Sequence, residues 1–305
     1  MSESFRQTPL SWAAKGGHEQ VVMLLLGRKD VDPNMADRGG RTPLSWAANY
    51  GHDGVVKLLL GRRDINPDFL DDDGRTPLSW AAWLGHHEVV KLLLGRSDVS
   101  PNITDRYGQT PLWYAIEEES FQVIQLLLER TDVAPNMVNP LGLTPLMMAS
   151  QRGSHRVVKL LLQREDVDPN MADDTSLTPL LWAAGRGDDC VVKLLLERED
   201  VIPDIPDIDG QTPLMSAARV GSDRVVKLLL GCQKVNPNIA DKTGRTALSW
   251  AAGKGHDGVV KLLLGRGDAN PDIPDCGGRT PFWWATSSGN KLAANLLEAR
   301  QPSNG

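Results

Sequence analysis

Arg41-Thr42-Pro43-Leu44-Ser45-Trp46-Ala47-Ala48 is followed 34 residues later by the same stretch, Arg75-Thr76-Pro77-Leu78-Ser79-Trp80-Ala81-Ala82. Its threonine recurs at Thr8, Thr42, Thr76, Thr110, Thr144, Thr178, Thr212, Thr246 and Thr280. A fixed period of this size marks a solenoid, whose units cannot bury their apolar faces alone and are stabilised by stacking. Units starting near residues 7, 41, 75, 109, 143, 177, 211, 245 and 279 account for nearly the whole chain, so 1–305 reads as a single array. No room remains for a separate catalytic domain.

One unit, Arg41 to Gly74, predicts its own secondary structure. Thr42 stands at a helix N-cap and Pro43 at the first helical position, where a missing N–H costs nothing. Leu44, Trp46, Ala47 and Ala48 make a short helix with small residues for close packing, and Gly51 ends it in the left-handed conformation. His52-Asp53 opens a second helix, apolar almost all round through Val55, Val56, Leu58, Leu59 and Leu60, as befits a helix covered on most sides. Gly61 and Pro67 are expected to stop it. Asp71-Asp72-Asp73-Gly74 supplies a projecting turn before the next Thr-Pro. Helices this short are marginal alone, so stacking must hold them.

The pattern Asp-x-x-Gly-x-Thr-Pro-Leu-x-x-Ala-Ala, then Gly-His and Val-Val-Lys-Leu-Leu-Leu, closely resembles the ankyrin repeat over essentially the whole chain. The resemblance implies an all-α solenoid of nine helix-turn-helix units with projecting turn fingers. Two departures recur: Ser11, Ser45, Ser79 and Ser249 replace the usual His after Thr-Pro-Leu, and the unit is one residue longer than the usual 33. The extra residue falls in segments such as Asp30-Val31-Asp32-Pro33-Asn34. The version Thr-Pro-Leu-Ser-Trp-Ala-Ala is similar to ankyrin arrays of filamentous fungi, which often form the C-terminal sensor part of larger NTPase-containing, immune-like proteins.

The net charge of −6 argues against a nucleic-acid binder that relies on overall positive charge. Cys190, Cys232 and Cys276 are few, odd in number and far apart, suggesting neither a disulfide framework nor a zinc site. The N-terminus lacks the apolar core of a signal peptide, and no apolar run is long enough to cross a bilayer. These features predict an intracellular monomer, in the cytoplasm or the nucleus.

Tempting chemistry has structural explanations. His18, His52, His86 and His256 occupy one phase of the repeat, about 8–10 Å apart between adjacent units if helices pack normally, too far for one metal ion. Helix-start and packing roles are expected for them. Asp37, Asp71, Asp105, Asp173, Asp207, Asp241 and Asp275 recur at the finger base, where Asp bonds its own backbone. Trp12, Trp46, Trp80, Trp182 and Trp250 share a phase that fills seams between units. Lys57, Lys91, Lys159, Lys193, Lys227 and Lys261 form a solvated stripe. No phosphate loop, nucleophile elbow or metalloprotease motif occurs. The expectation is a protein with no catalytic residues, no cofactor and no metal.

Positions that vary between repeats are where a partner is read. The ankyrin resemblance implies that these are the finger tips and the ends of the first helices, on the concave face. The helix ends read Lys15-Gly16, Asn49-Tyr50, Trp83-Leu84, Glu117-Glu118, Gln151-Arg152, Gly185-Arg186, Arg219-Val220, Gly253-Lys254 and Ser287-Ser288. That sequence runs from aromatic to acidic to basic. Tyr107, Leu141, Leu143 and Leu177 add apolar finger residues. Tyr50, Trp83, Leu84 and Tyr107 are therefore expected to anchor a protein partner, with Glu117, Glu118, Leu141 and Leu143 beside them. Arg152, Arg186, Arg219 and Lys254 are expected to pair with its acidic part. A transcription co-regulator is an alternative form of the same binding role; direct nucleic-acid binding through the basic half and an enzyme using the acidic centre are weaker readings.

Three irregularities complete the reading. Glu119 replaces the glycine between helices in the fourth unit, Ser176 a finger glycine in the sixth, and Ala247 the proline in the eighth. A left-handed position penalises a side chain, so the Glu117–Phe121 turn is open to rebuilding itself. The last unit looks capped through Ala293, Ala294, Asn295 and Glu298. The first does not, with Met23 where most copies have Lys and Arg6 in place of a finger glycine.

Overall fold

A computed structural model describes residues 7–299, and among these residues it is all helical. The chain forms two compact units, Met1–Pro140 and Leu141–Gly305. The first contains α1 (Pro9–Lys15), α2 (Glu19–Leu26), α3 (Pro43–Tyr50), α4 (Asp53–Leu60), α5 (Pro77–Trp83), α6 (His87–Leu94), α7 (Pro111–Glu117) and α8 (Phe121–Glu129). The second contains α9 (Pro145–Arg152), α10 (His155–Leu162), α11 (Pro179–Arg186), α12 (Asp189–Leu196), α13 (Pro213–Val220), α14 (Asp223–Gly231), α15 (Ala247–Lys254), α16 (Asp257–Gly265), α17 (Pro281–Ser287) and α18 (Lys291–Glu298).

Each first helix starts as its sequence requires. In α3 the Thr42 Oγ1 accepts from the Ser45 amide at 3.2 Å, with Pro43 at the first position. The same cap recurs at Thr76, Thr144, Thr178 and Thr212. Ala247 does not disturb it, because the cap belongs to Thr246, which still accepts from Ser249. Leu44, Ala47 and Ala48 are fully buried, so neighbouring first helices approach closely. Within each unit, first helices pack on first helices and second on second, as in α3 on α5 and α4 on α6. Val55, Val56 and Leu59 line that stack. Each such side chain contributes about 1.5–3 kcal/mol when fully buried.

The turn between the helices couples one repeat to the next. Gly51 is left-handed at φ 70°. Its open side is filled by the following repeat, since a Cβ there would meet His86 Nδ1 at 2.6 Å. The histidines stand at the N-cap position of the second helix, but their side chains do not cap it. Instead the rings of His52, His86 and His256 bond the carbonyls of Lys15, Asn49 and Arg219, each at the end of the preceding repeat's first helix. The helix-start role expected of them is thus a stacking role.

The second helices end differently from expectation. Gly61 has φ −68°, a right-handed conformation open to any residue, and Gln163 and Glu197 stand at its equivalents. What closes the end is an arginine. Arg62, Arg96 and Arg198 each grip the aspartate two residues on, while Nη1 donates to a helix-end carbonyl 36 residues back, those of Leu26, Leu60 and Leu162. Orphan carbonyls at a helix C-terminus are thereby satisfied by the next repeat.

The irregular turns keep their form. Glu119 is left-handed at φ 52°, and its turn retains the bonds Glu119 N to Ile116 O and Ser120 N to Ala115 O. The Glu117–Phe121 turn is therefore not rebuilt; the residue adopts the glycine conformation instead. Ser176 does the same at φ 62°. At the first repeat Trp12, Met23 and Leu24 are exposed, while Arg6 lies outside the described residues. In the last repeat Ala293 and Leu297 are buried and Asn295 and Glu298 face solvent.

Candidate functional site

In most repeats one aspartate ties the finger to the first helix. Asp71 Oδ1 accepts the amides of Asp73 and Arg75, which makes the turn, and Oδ2 accepts the Trp80 indole N–H at 2.9 Å. Trp46 bonds Asp37, Trp182 bonds Asp173, Trp250 bonds Asp241 and Trp284 bonds Asp275 in the same way. In the fourth repeat Tyr114 takes the place of tryptophan on Asp105. Burial first, then the carboxylate at Asp105, push the Tyr114 phenol up to about 12, so at neutral pH it remains a donor.

Cations lie between these rings. In the first compact unit Lys15 Nζ sits 4.5 Å from the Trp46 ring. Arg41 lies 4.8 Å from Trp46 and 4.4 Å from Trp80, and Arg75 lies 4.9 Å from Trp80 and 5.0 Å from Trp83. Trp83 stacks in turn on Trp80 and Tyr114, with 5.4 Å between centroids in both pairs. The second compact unit has a shorter series: Arg245 between Trp250 and Trp284, and Arg279 against Trp284 and Trp283. Each cation–ring contact contributes about 0.5–2 kcal/mol, more as water is excluded. Trp46 and Trp80 fill seams as expected, whereas Trp12, at the first repeat, is exposed.

The varying residues sit on this framework. In the first compact unit Tyr50 ends α3, exposed beside Trp46 and His52. Trp83 ends α5 and is half-buried in the ring series, and Leu84 follows it, exposed. Tyr107 projects from its finger with the Arg106 guanidinium over its ring. Glu117 ends α7 half-buried, and Glu118 is exposed. Because α3, α5 and α7 pack side by side, Tyr50, the Trp83–Leu84 pair and Glu117 fall on successive helix ends.

In the second compact unit Leu141 is exposed and Leu143 half-buried in the finger before α9. Arg152, Arg186 and Lys254 end α9, α11 and α15, and Arg219 lies one residue before the end of α13; all four are exposed. These helices pack consecutively, so the four cations form a row with roughly the 8–10 Å spacing of packed helices.

The arginines between the rings are the residues that sequence reading missed. Their signal is the spacing Arg-x-x-x-x-Trp, at Arg41/Trp46, Arg75/Trp80, Arg245/Trp250 and Arg279/Trp284. Among the described residues, no three His, Cys, Asp or Glu side chains come together as metal ligands. No helix among them is long and apolar enough to cross a membrane.

A family model described as ankyrin repeats (3 copies) matches residues 1–69, 63–139, 93–173, 146–241 and 222–303. The ankyrin repeat domain of Bcl-3, described as a unique member of the IkappaB protein family, is 27% identical, with a TM-score of 0.66 over 73% of this chain and 98% of its own. The ankyrin repeat protein EF0377 is also 27% identical, with a TM-score of 0.59 over 63% of this chain and 97% of its own. No curated protein sequence matches. With its repeated capped helices, its Asp-anchored fingers and family matches along nearly all its length, the chain belongs to the ankyrin-repeat proteins.

Proposed function

We propose that this chain is a non-catalytic module that binds a partner protein through its concave face, formed by the fingers and first-helix ends. The observation that carries this reading is the contrast between framework and surface. Recurring Asp, Trp, Arg and His side chains are engaged in bonds within and between repeats, whereas the residues that vary at the helix ends and fingers stand outward. Tyr50, Leu84 and Tyr107 are 48%, 46% and 49% exposed. Large apolar side chains grouped beside charge are what interaction hot spots are built from. Trp83, held by its neighbours, offers a preorganised ring face at small entropic cost. The row Arg152, Arg186, Arg219 and Lys254 suits an acidic stretch of the partner.

The test is affinity capture from the source cell, followed by measured affinity for the captured protein. A Tyr50→Ala/Leu84→Ala variant and an Arg186→Glu/Arg219→Glu variant are expected to weaken binding about 30-fold or more, the scale of one hot spot. A Lys57→Glu/Lys91→Glu variant, altered on the second helices, should bind as the wild type does. Equal binding by all of them would reject the surface. A regulatory version of this role is favoured by one observation, the similarity to a structure described as an IkappaB family member. A captured transcription factor would select it.

A further inference from the structure

The residue after the recurring proline, between second helix and finger, forms its own link from repeat to repeat. It is Asn34, Asp68, Asn102, Asn136, Asn170, Asp204, Asn238 and Asp272 along the chain. At Asn34, Asn102, Asn170 and Asn238 both ends of the amide are used. Asn34 Oδ1 accepts the Asn66 amide at 2.8 Å, and its Nδ2 donates to the Asp64 carbonyl at 2.6 Å. Asn102 bonds the Ala134 amide and the Asp132 carbonyl, Asn170 the Ile202 amide and the Asp200 carbonyl, and Asn238 the Asn270 amide and the Asp268 carbonyl. The acceptor faces a residue 32 positions on and the donor a residue 30 positions on.

Asp68 and Asp204 keep only half of this link. Asp68 Oδ2 accepts the Ser100 amide at 2.9 Å and Asp204 Oδ2 the Asn236 amide at 2.7 Å, again 32 positions on. The other oxygen, Oδ1, is buried in both residues and has no hydrogen-bond partner. By the register of the repeat it occupies the place of the amide NH2, so it faces the carbonyl of Asp98 or Lys234. An ionised carboxylate has only lone pairs to offer a carbonyl. A protonated one has an O–H donor there.

We infer that Asp68 and Asp204 are proton-operated links between successive repeats, each completing its second inter-repeat hydrogen bond only when the carboxyl carries its proton. The surroundings favour uptake of that proton. Burial raises the affinity of both groups for it, and at Asp68 the Asp98 carboxylate adds to the effect. The Ser100 amide and hydroxyl act in the opposite sense on Asp68, as do the Asn236 amide and the more distant Arg266 cation on Asp204. The neighbouring charges are otherwise engaged: Asp64 with Arg62, Asp98 with Arg96, Asp200 with Arg198, and Lys234 with the Glu199 carbonyl. Both folded values lie above the ordinary 3.8, so these links add stability below that pH and lose it as pH rises through the raised values. Acidification therefore tightens one repeat seam in each compact unit.

The experiment uses the full chain and follows unfolding from pH 3 to 7.5. Asp68→Asn and Asp204→Asn supply a permanent donor, and each is expected to raise the unfolding midpoint by about 2 °C at the upper pH, with the gain shrinking on acidification. Asn34→Asp should do the converse, lowering the midpoint at pH 7.5 and regaining it as pH falls. Carboxyl carbon resonances of Asp68 and Asp204 in the wild type should titrate above those of exposed aspartates, a readout that needs no variant. Asparagine variants less stable than wild type at pH 7.5 would show that a water or cation already satisfies the carboxylate and would overturn the inference. A difference that does not change with pH, or ordinary titration of both resonances, would overturn it equally.

Discussion

At the scale of single residues, two side chains among the described residues occupy backbone positions that otherwise carry glycine. Glu119 and Ser176 are the non-glycine residues with positive φ among those described. The local hydrogen bonds hold both turns in the left-handed form, so the strain is accepted rather than relieved. Replacing Ser176 with Gly is expected to stabilise the protein by about 0.5–1 kcal/mol, the size of a relieved left-handed penalty less the added freedom of the unfolded chain. Chemical denaturation monitored by circular dichroism measures this, and a destabilised Ser176→Gly would show that the side chain contributes more than the strain costs. Both positions were visible in the sequence as missing glycines. What the sequence left open was whether the turn or the residue would yield. The turn wins because its amides are already bonded, into the first helix at Glu119 and to Asp173 at Ser176.

At the scale of the helix pair, the glycine between helices and the histidine of the next repeat form one unit of construction. A Cβ on Gly51 would meet the His86 ring, which itself bonds the Asn49 carbonyl at 3.0 Å. Gly51→Ala is therefore expected to cost more than the about 1 kcal/mol of its backbone conformation alone. His86→Ser, which shortens the side chain to what the fourth repeat carries at Ser120, should cost about 0.5–1.5 kcal/mol for the lost hydrogen bond. The two losses should not add, because the shorter side chain makes room for the methyl group. A double-mutant cycle on unfolding free energy reads the coupling, and strict additivity would reject the steric link. The sequence showed the Gly-His pair at His18, His52, His86 and His256 and suggested helix-start and packing roles, without naming the partner. The partner that matters lies 34 or more positions away.

Across the whole chain, stability has two opposed responses to acid. Hydrogen bonds from Arg62, Arg96 and Arg198 hold Asp64, Asp98 and Asp200 below the ordinary carboxylate range. Their contribution is present above the unfolded value and is lost as pH falls through the lowered folded values. These carboxylates are largely exposed and solvent screens them, so each contributes little and the effect is collective. An Asp98→Asn/Asp200→Asn variant is expected to show a flatter fall in unfolding midpoint below about pH 4, and 1 M salt should weaken the wild type's dependence. Identical acid limbs for wild type and variant would remove the clips from the account. Asp68 and Asp204 respond in the reverse direction and at higher pH, which keeps the two effects separable in one titration.

The sequence by itself determined the period, the capped helices, the left-handed glycines and the aspartate turns, because each rests on contacts within a few residues along the chain. It also indicated which positions vary between repeats, and Tyr50, Leu84, Tyr107 and the row from Arg152 to Lys254 are proposed as a binding surface on that ground. Tertiary structure alone decided how the recurring polar residues are used. Arg41 lies against the Trp80 ring of the next repeat, Arg75 Nε donates to the Tyr114 hydroxyl of the next repeat, Arg62 caps the second helix of the preceding repeat, and Asn34 reaches both an amide and a carbonyl of the next repeat. Those partners are 30 or more residues apart in sequence. Equal spacing says that such residues line up, but the offset between stacked repeats selects which neighbour each one meets. That offset is set by side-chain packing across the seam, and no single repeat contains it.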